Sequence, residues 1–284
     1  MGEMTRWNIT KIPVQKDTHS MVLTDSNELL TIEADKTNGE FFVRRNLATW
    51  EETERKSLCS LASGGKVDNA SLAYNCDSDT AYLLLGSPLQ IYNANDLSVP
   101  LYSQTNPRDF TDKLGSASIT FANNNSLFIS TSNNGTIKFD IDTYSFTRVS
   151  SMYSPLAGHY YQVLNGKKYE FENGKKEVKI TDLSNKGSKS PISLTLDHGA
   201  PDFDEQPMVA YKDNFYFWDC QRGIMKINLS GQTTTFVDLN RIDNALDFQP
   251  LFRNIRHLAV NQNGICVLGD PATGKILVLK SVLQ

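Results

Sequence analysis

The chain has 284 residues, 39% of them hydrophobic and 21% charged, with a formal net charge of −4. That apolar content can build a core, which excludes wholesale disorder, and the mild acidity argues against a coat for nucleic acid or anionic membrane. Four cysteines, Cys59, Cys76, Cys220 and Cys266, exclude a disulfide-dense scaffold, and the lack of any CxxC pair disfavours zinc.

No apolar stretch follows Met1–Trp7 that could act as a signal-peptide core, and no window approaches the roughly 18 apolar residues that span a bilayer. A cytoplasmic protein without membrane insertion is the expectation. The first predicted element is Trp7-Asn8-Ile9-Thr10-Lys11-Ile12-Pro13-Val14, which alternates like a strand. From there one short pattern recurs: apolar, polar, apolar, then Asp, Asn or a small polar residue. It appears as Phe41-Phe42-Val43-Arg44, Leu89-Gln90-Ile91-Tyr92-Asn93 and Ile137-Lys138-Phe139-Asp140. Further along it returns as Val178-Lys179-Ile180-Thr181-Asp182, Met225-Lys226-Ile227-Asn228 and Ile276-Leu277-Val278-Leu279. Successive starts lie 48, 48, 41, 47 and 51 residues apart, a mean of 47.

A second strand-like run precedes these segments, as in Ser126-Leu127-Phe128-Ile129-Ser130, Asn214-Phe215-Tyr216-Phe217-Trp218 and Gly264-Ile265-Cys266-Val267-Leu268. Turn formers such as Asn173-Gly174 and Thr273-Gly274 link the two, because those residues tolerate positive φ. A further run comes before, as in Met208-Val209-Ala210-Tyr211, and a weaker one after, as in Thr233-Thr234-Thr235-Phe236-Val237. Four short strands per 40–50 residues is the signature of a propeller blade. The expected fold is an all-β, six-bladed β-propeller of four-stranded antiparallel blades, one domain over residues 1–284. Its blades fall at about 19–66, 67–104, 116–150, 156–197, 206–239 and 255–284. The last unit shows three strands, and residues 5–14 would close the ring as its fourth. Seven blades is the alternative, with 46–66 as a degenerate extra sheet. Thr49-Trp50-Glu51-Glu52 reads instead as a capping box opening a short helix, making that segment an insertion in the first blade.

Residues 116–150 carry a family resemblance. Ser118-Ile119-Thr120-Phe121, Leu127-Phe128-Ile129-Ser130 and Gly135-Thr136-Ile137-Lys138-Phe139-Asp140 resemble a WD-repeat blade, with Phe139-Asp140 where that family has Trp-Asp. Trp218-Asp219 is the literal dipeptide, but it ends a second strand and does not match. The resemblance implies a propeller whose loops recognise other proteins.

Inter-blade connections are where recognition residues are expected. Three of them share an Asp-Phe dipeptide: Asp109-Phe110, Asp202-Phe203 (followed by Asp204-Glu205) and Asp247-Phe248. Phe could plug the gap between blades while Asp bonds a turn; alternatively the pairs form an acidic, aromatic surface for a peptide. His19, His159 and His257 fall at predicted first strands, where a general base or ligand could sit, though isolated strand-end histidines usually serve as satisfied polar groups. Residues 165–190 hold seven lysines against four acids, which suits either edge protection or an acidic partner. No Walker A, dinucleotide fingerprint or G-x-S-x-G elbow occurs, so no cofactor and no catalytic residue is assigned. The expected function is a non-catalytic interaction module, one subunit of a larger assembly, binding proteins or peptides through Asp109, Phe110, Asp202, Phe203, Asp204, Glu205, Asp247 and Phe248. Two alternatives stand beside it: a calcium-dependent propeller hydrolase or lactonase, and an extracellular sugar- or ligand-binding propeller.

Overall fold

The computed structural model describes residues 5–13, 18–62, 65, 67, 70–86, 89–103, 117–123, 125–131, 135–148, 159–183, 191–202 and 206–282. Among these residues the chain forms six four-stranded antiparallel sheets in a ring, a six-bladed β-propeller. β1 (Arg6–Pro13) comes first in the chain and is placed last in the ring. Blade 1 is β2 (Thr18–Leu23), β3 (Glu28–Asp35), β4 (Gly39–Asn46) and β5 (Glu52–Ser57). Blade 2 is β6 (Ala70–Asn75), β7 (Thr80–Leu85), β8 (Gln90–Asn93) and β9 (Tyr102–Ser103). β10 (Ala117–Asn123), β11 (Ser126–Thr131), β12 (Gly135–Asp140) and β13 (Ser145–Arg148) make blade 3. β14 (His159–Leu164), β15 (Lys167–Glu172), β16 (Glu177–Asp182) and β17 (Ile192–Thr195) make blade 4. Blade 5 consists of β18 (Met208–Tyr211), β19 (Asn214–Asp219), β20 (Gly223–Asn228) and β21 (Thr233–Asp238). Blade 6 takes β22 (His257–Val260), β23 (Cys266–Asp270) and β24 (Lys275–Val282) from the end of the chain and β1 from its beginning. The closing register runs from Arg6↔Val282 to Pro13↔Lys275, so the ring is sealed by eight residue pairs.

The side-chain alternation explains why the second strands are so apolar. A blade is covered on both faces by its neighbours, and odd and even positions therefore face different blades. In β7, Leu83 and Leu85 pack with blade 1 while Tyr82 and Leu84 pack with blade 3. In β24, Leu277 and Leu279 face blade 5, whereas Ile276 and Val278 face blade 1. The described core divides accordingly into clusters, each lying between two successive blades. Each fully buried Leu or Phe contributes about 1.5–3 kcal/mol, and the clusters make neighbouring blades interdependent. Gly174 and Gly274 supply the positive φ, 73° and 65°, that their hairpin turns require.

One expectation fails in blade 1. Among the described residues of 46–66 there is neither an inserted helix after a capping box nor an extra sheet, because Glu52–Ser57 is the blade's own fourth strand. Asn46 Oδ1 accepts the backbone N–H groups of Ala48 and Thr49, and Trp50 adopts φ 63°, which reverses the chain. Glu52 then has no first helical turn to cap. Its strand is polar because it is outermost, where Glu54 meets Arg44 at 3.3 Å and Arg55 meets Glu52 at 2.7 Å. The short helix, α1 (Leu58–Leu61), follows the strand.

Candidate functional site: a groove between blades 5 and 6

Of the residues expected to form a recognition surface, Asp109, Phe110, Phe203, Asp204 and Glu205 lie outside the described residues. Asp202 is held within the blade 4–5 connection. Its Oδ1 accepts from Asn173 Nδ2 at 2.9 Å, its N–H donates to Gln206 Oε1 at 2.9 Å, and its carbonyl accepts the Gln206 N–H at 2.6 Å. Asp247 and Phe248 stand in α2 (Ala245–Phe248), part of the connection that links β21 to β22. Phe248 packs against the core between blades 5 and 6, which is the plug role; Asp247 is exposed.

Sequence reasoning missed a second convergence, on the channel. The turns between first and second strands of blades 1, 2, 5 and 6 meet there. Tyr211 of blade 5 donates its hydroxyl to Asp25 Oδ1 of blade 1 at 2.7 Å. Tyr74 of blade 2 donates to Asp79 Oδ1 at 2.6 Å and accepts the Asp25 N–H at 2.8 Å. Gln262 of blade 6 gives its N–H to Asp25 Oδ1 at 3.0 Å. Cys76 of blade 2 receives the Lys212 backbone N–H of blade 5, and these two blades stand opposite one another in the ring. The channel is bridged at this end. Burial first, then hydrogen bonding to the carboxylates, pushes the Tyr74 and Tyr211 phenols far above their ordinary range. Among the described residues no group of three or more His, Cys, Asp or Glu side chains is placed to hold a metal ion. His257, at the start of β22, sets Nε2 3.1 Å from the Thr18 carbonyl; His19 and His159 stand in β2 and β14.

The lysines of residues 165–190 are partly absorbed by their own blade. Lys167 lies opposite Asp182, Glu170 opposite Lys179, and Lys168 is buried beside the Tyr161 ring, while Lys186 and Lys189 lie outside the described residues.

Among the described residues, a groove of about 650 Å³ lies between blade 5 and the outer strand of blade 6. Cys220 and Gln221, in the turn between β19 and β20, line one side. Arg6 of β1 lines another, and the rest belongs to the blade 5–6 connection. That connection begins with a 3-10 turn over Leu239–Arg241, capped by Asp238, whose side chain accepts the Asn240 N–H. It next pairs with the free edge of β1. Ile242 bridges Trp7 in parallel, Asp243 N–H donates to the Trp7 carbonyl at 2.9 Å, and the Asn244 carboxamide bonds both backbone groups of Ile9. Arg6 Nε reaches Asp243 Oδ1 at 2.7 Å. α2 and a second 3-10 turn over Gln249–Asn254 complete the excursion. Phe252 anchors it, buried against Trp218, whose Nε1 donates to the Phe252 carbonyl at 2.9 Å.

The groove thus has an apolar base in Ile242 and Phe252 and an exposed apolar rim at Leu246, which is 82% accessible. Asp219 shapes the opposite wall: its Oδ1 accepts the Gln221 N–H at 2.8 Å and its Oδ2 accepts Arg222 Nε at 2.8 Å. Cys220 is only partly buried, because its turn forms this wall.

No protein-family model and no curated protein matches the sequence. Among solved structures, the chain is similar to a protein of unknown function from Bacteroides thetaiotaomicron, with a TM-score of 0.63, 14% identity, and coverage of 98% of this chain and 77% of that one. It is similar to the WD40 repeats of RRP9, with a TM-score of 0.57, 10% identity, and coverage of 97% and 98%. A chain of a nidogen–laminin complex aligns with a TM-score of 0.51 and 10% identity over 84% of this chain and 95% of that one. The likeness is one of fold: this chain is a six-bladed β-propeller and resembles WD40-repeat structures.

Proposed function

We propose that the protein is an interaction module that captures a protein or peptide partner in the groove between blades 5 and 6. The observation that carries this reading is Leu246, an 82% accessible leucine on a connection otherwise pinned down by Phe252, Asn244 and Asp243. A large apolar side chain held in water beside an apolar cleft marks a recognition surface, and a rigid support lowers the entropy lost on binding. The bridged channel supports placing recognition on the periphery, since cross-blade contacts occupy the end formed by the first turns. The WD40-repeat and nidogen–laminin likenesses agree with an interaction role by analogy of fold.

The test compares partners captured from native lysate by the wild-type protein and by Leu246→Asp. A set of partners lost specifically from the variant, with its thermal melt unchanged, supports the reading. Identical captured sets from both proteins overturn it.

A further inference from the structure

We infer that the groove between blades 5 and 6 takes an extended acidic segment of a partner chain, seated by one aliphatic or aromatic side chain. This deepens the interaction reading above and rests on it. The groove has an apolar half and a charged half.

The apolar half is the base and rim already described. Ile242 and Phe252 are 5% and 3% exposed at the base, and Leu246 overhangs them from α2. A cavity of about 650 Å³ holds one large side chain together with a few residues of extended backbone. Buried apolar anchors of this kind carry most of the affinity in peptide recognition.

The charged half follows from which lining groups are already committed. Asp243 is the carboxylate lining the groove, and Arg6 binds it through Nε and Nη2. A basic segment would therefore have to displace an existing ion pair. Arg253 also lines the groove and is exposed, and none of the carboxylates described in ion pairs is bound to it. Gln221, Asn240 and Gln249 add side-chain amide donors around it. The groove is left with positive charge on a chain whose net charge is −4, so its field selects a partner of the opposite sign. Asp247, next to Leu246, is exposed and is not one of the residues that line the groove.

The experiment selects short random peptides displayed on phage against the intact wild-type protein, with no counter-selection on either variant. Selected peptides are then titrated by fluorescence polarisation against wild type, Arg253→Glu and Leu246→Ala. Both positions are exposed, and unchanged thermal melts confirm that the variants keep the fold. The expected peptides carry Asp or Glu flanking a Leu, Ile, Met or Phe. They weaken by about tenfold or more on Arg253→Glu and on Leu246→Ala, and they weaken with added salt. Peptides that depend on Leu246 but are neutral or basic, with Arg253→Glu without effect or tightening them, overturn the acidic assignment and leave the interaction reading standing. Peptides indifferent to both variants overturn the two together.

Discussion

The Asn244 side chain acts as a strand residue toward Ile9: its Oδ1 accepts the Ile9 N–H at 2.9 Å while its Nδ2 donates to the Ile9 carbonyl at 2.8 Å. β1 is the outer strand of blade 6, and its far edge would otherwise present unpaired backbone groups to solvent. Asn244 and Asp243 cover that edge with residues of blade 5's own connection, so ring closure and groove formation share the same contacts. Asn244→Ala is expected to lower unfolding free energy by about 1–3 kcal/mol, the cost of leaving two partly buried backbone groups without this partner. Asn244→Asp should destabilise at least as much, because it keeps the acceptor for Ile9 N–H but sets a second oxygen against the Ile9 carbonyl. Urea unfolding with an unchanged m-value measures both.

Trp218 links blade 5 to the groove. It is fully buried, lies 5.1 Å edge-on from the Phe252 ring, and bonds the Phe252 carbonyl. Trp218→Ala removes a large side chain from a close-packed interface and should cost about 3–5 kcal/mol. Trp218→Phe keeps much of the packing and isolates the hydrogen bond. Its expected cost is about 1–3 kcal/mol, with weaker capture of groove-dependent partners although no exposed residue has changed. Denaturant unfolding and partner capture, read on the same preparations, separate the two effects.

The repeat made the propeller legible because blade strands obey a local rule. A strand covered on both faces must be apolar at successive positions, as in Thr80–Leu85, and the connections must carry turn formers, as at Gly174 and Gly274. The closing strand left a different trace: Trp7 and Ile9 alternate with Asn8 and Thr10 and pack toward blade 5, while Ile12 falls on the other face, toward blade 1. Residues 46–66 misled because Thr49 and Glu52 have helix-capping spacing, while the positive φ at Trp50 leaves no local trace. The groove left only an indirect sign: the interval from Met225 to Ile276 is the longest in the repeat, at 51 residues, and it contains the excursion that bears Leu246. Arg6 and Asp243 are 237 positions apart, and Tyr211 and Asp25 are 186 apart. Such pairs meet only when the ring closes, so no spacing in the sequence marks them.

Gly223 opens β20 directly after the turn that walls the groove, and its φ is 113°. A Cβ there would lie 2.0 Å from the Val237 carbonyl oxygen and 3.1 Å from the Leu239 N. Both obstacles are backbone, so neither can rotate away. Gly223→Ala is expected to destabilise by more than about 2 kcal/mol and to displace Leu239 at the start of the connection. A matched control is Gly39→Ala, where φ is 92° but no atom lies within 4 Å of the added Cβ. Calorimetric melts should show a clearly larger loss at Gly223 than at Gly39, and equal losses would mean that strain in φ, not contact with blade 5, sets the effect.

The bridge between Tyr211 and Asp25 gives the fold a defined sensitivity to alkaline pH. Burial, and then the hydrogen bond to Asp25, raise the Tyr211 phenol well above its unfolded value of about 10. Tyr74 is raised in the same way, by burial and then by Asp79. A group whose folded pKa is raised contributes its full stability below the unfolded pKa. Above about pH 10 the unfolded chain releases protons that the folded chain retains, so unfolding becomes progressively easier as pH rises. Unfolding free energy is therefore expected to fall from about pH 10 upward. Tyr211→Phe removes one of the titrating groups and one donor to Asp25, while the Gln262 N–H still reaches that carboxylate. The variant should lose about 1–3 kcal/mol near neutral pH and then decline less steeply than wild type in alkali. Urea titrations on either side of pH 10 read both quantities, and parallel alkaline slopes for the two proteins would show that Tyr211 ionises as freely in the folded ring as in the unfolded chain.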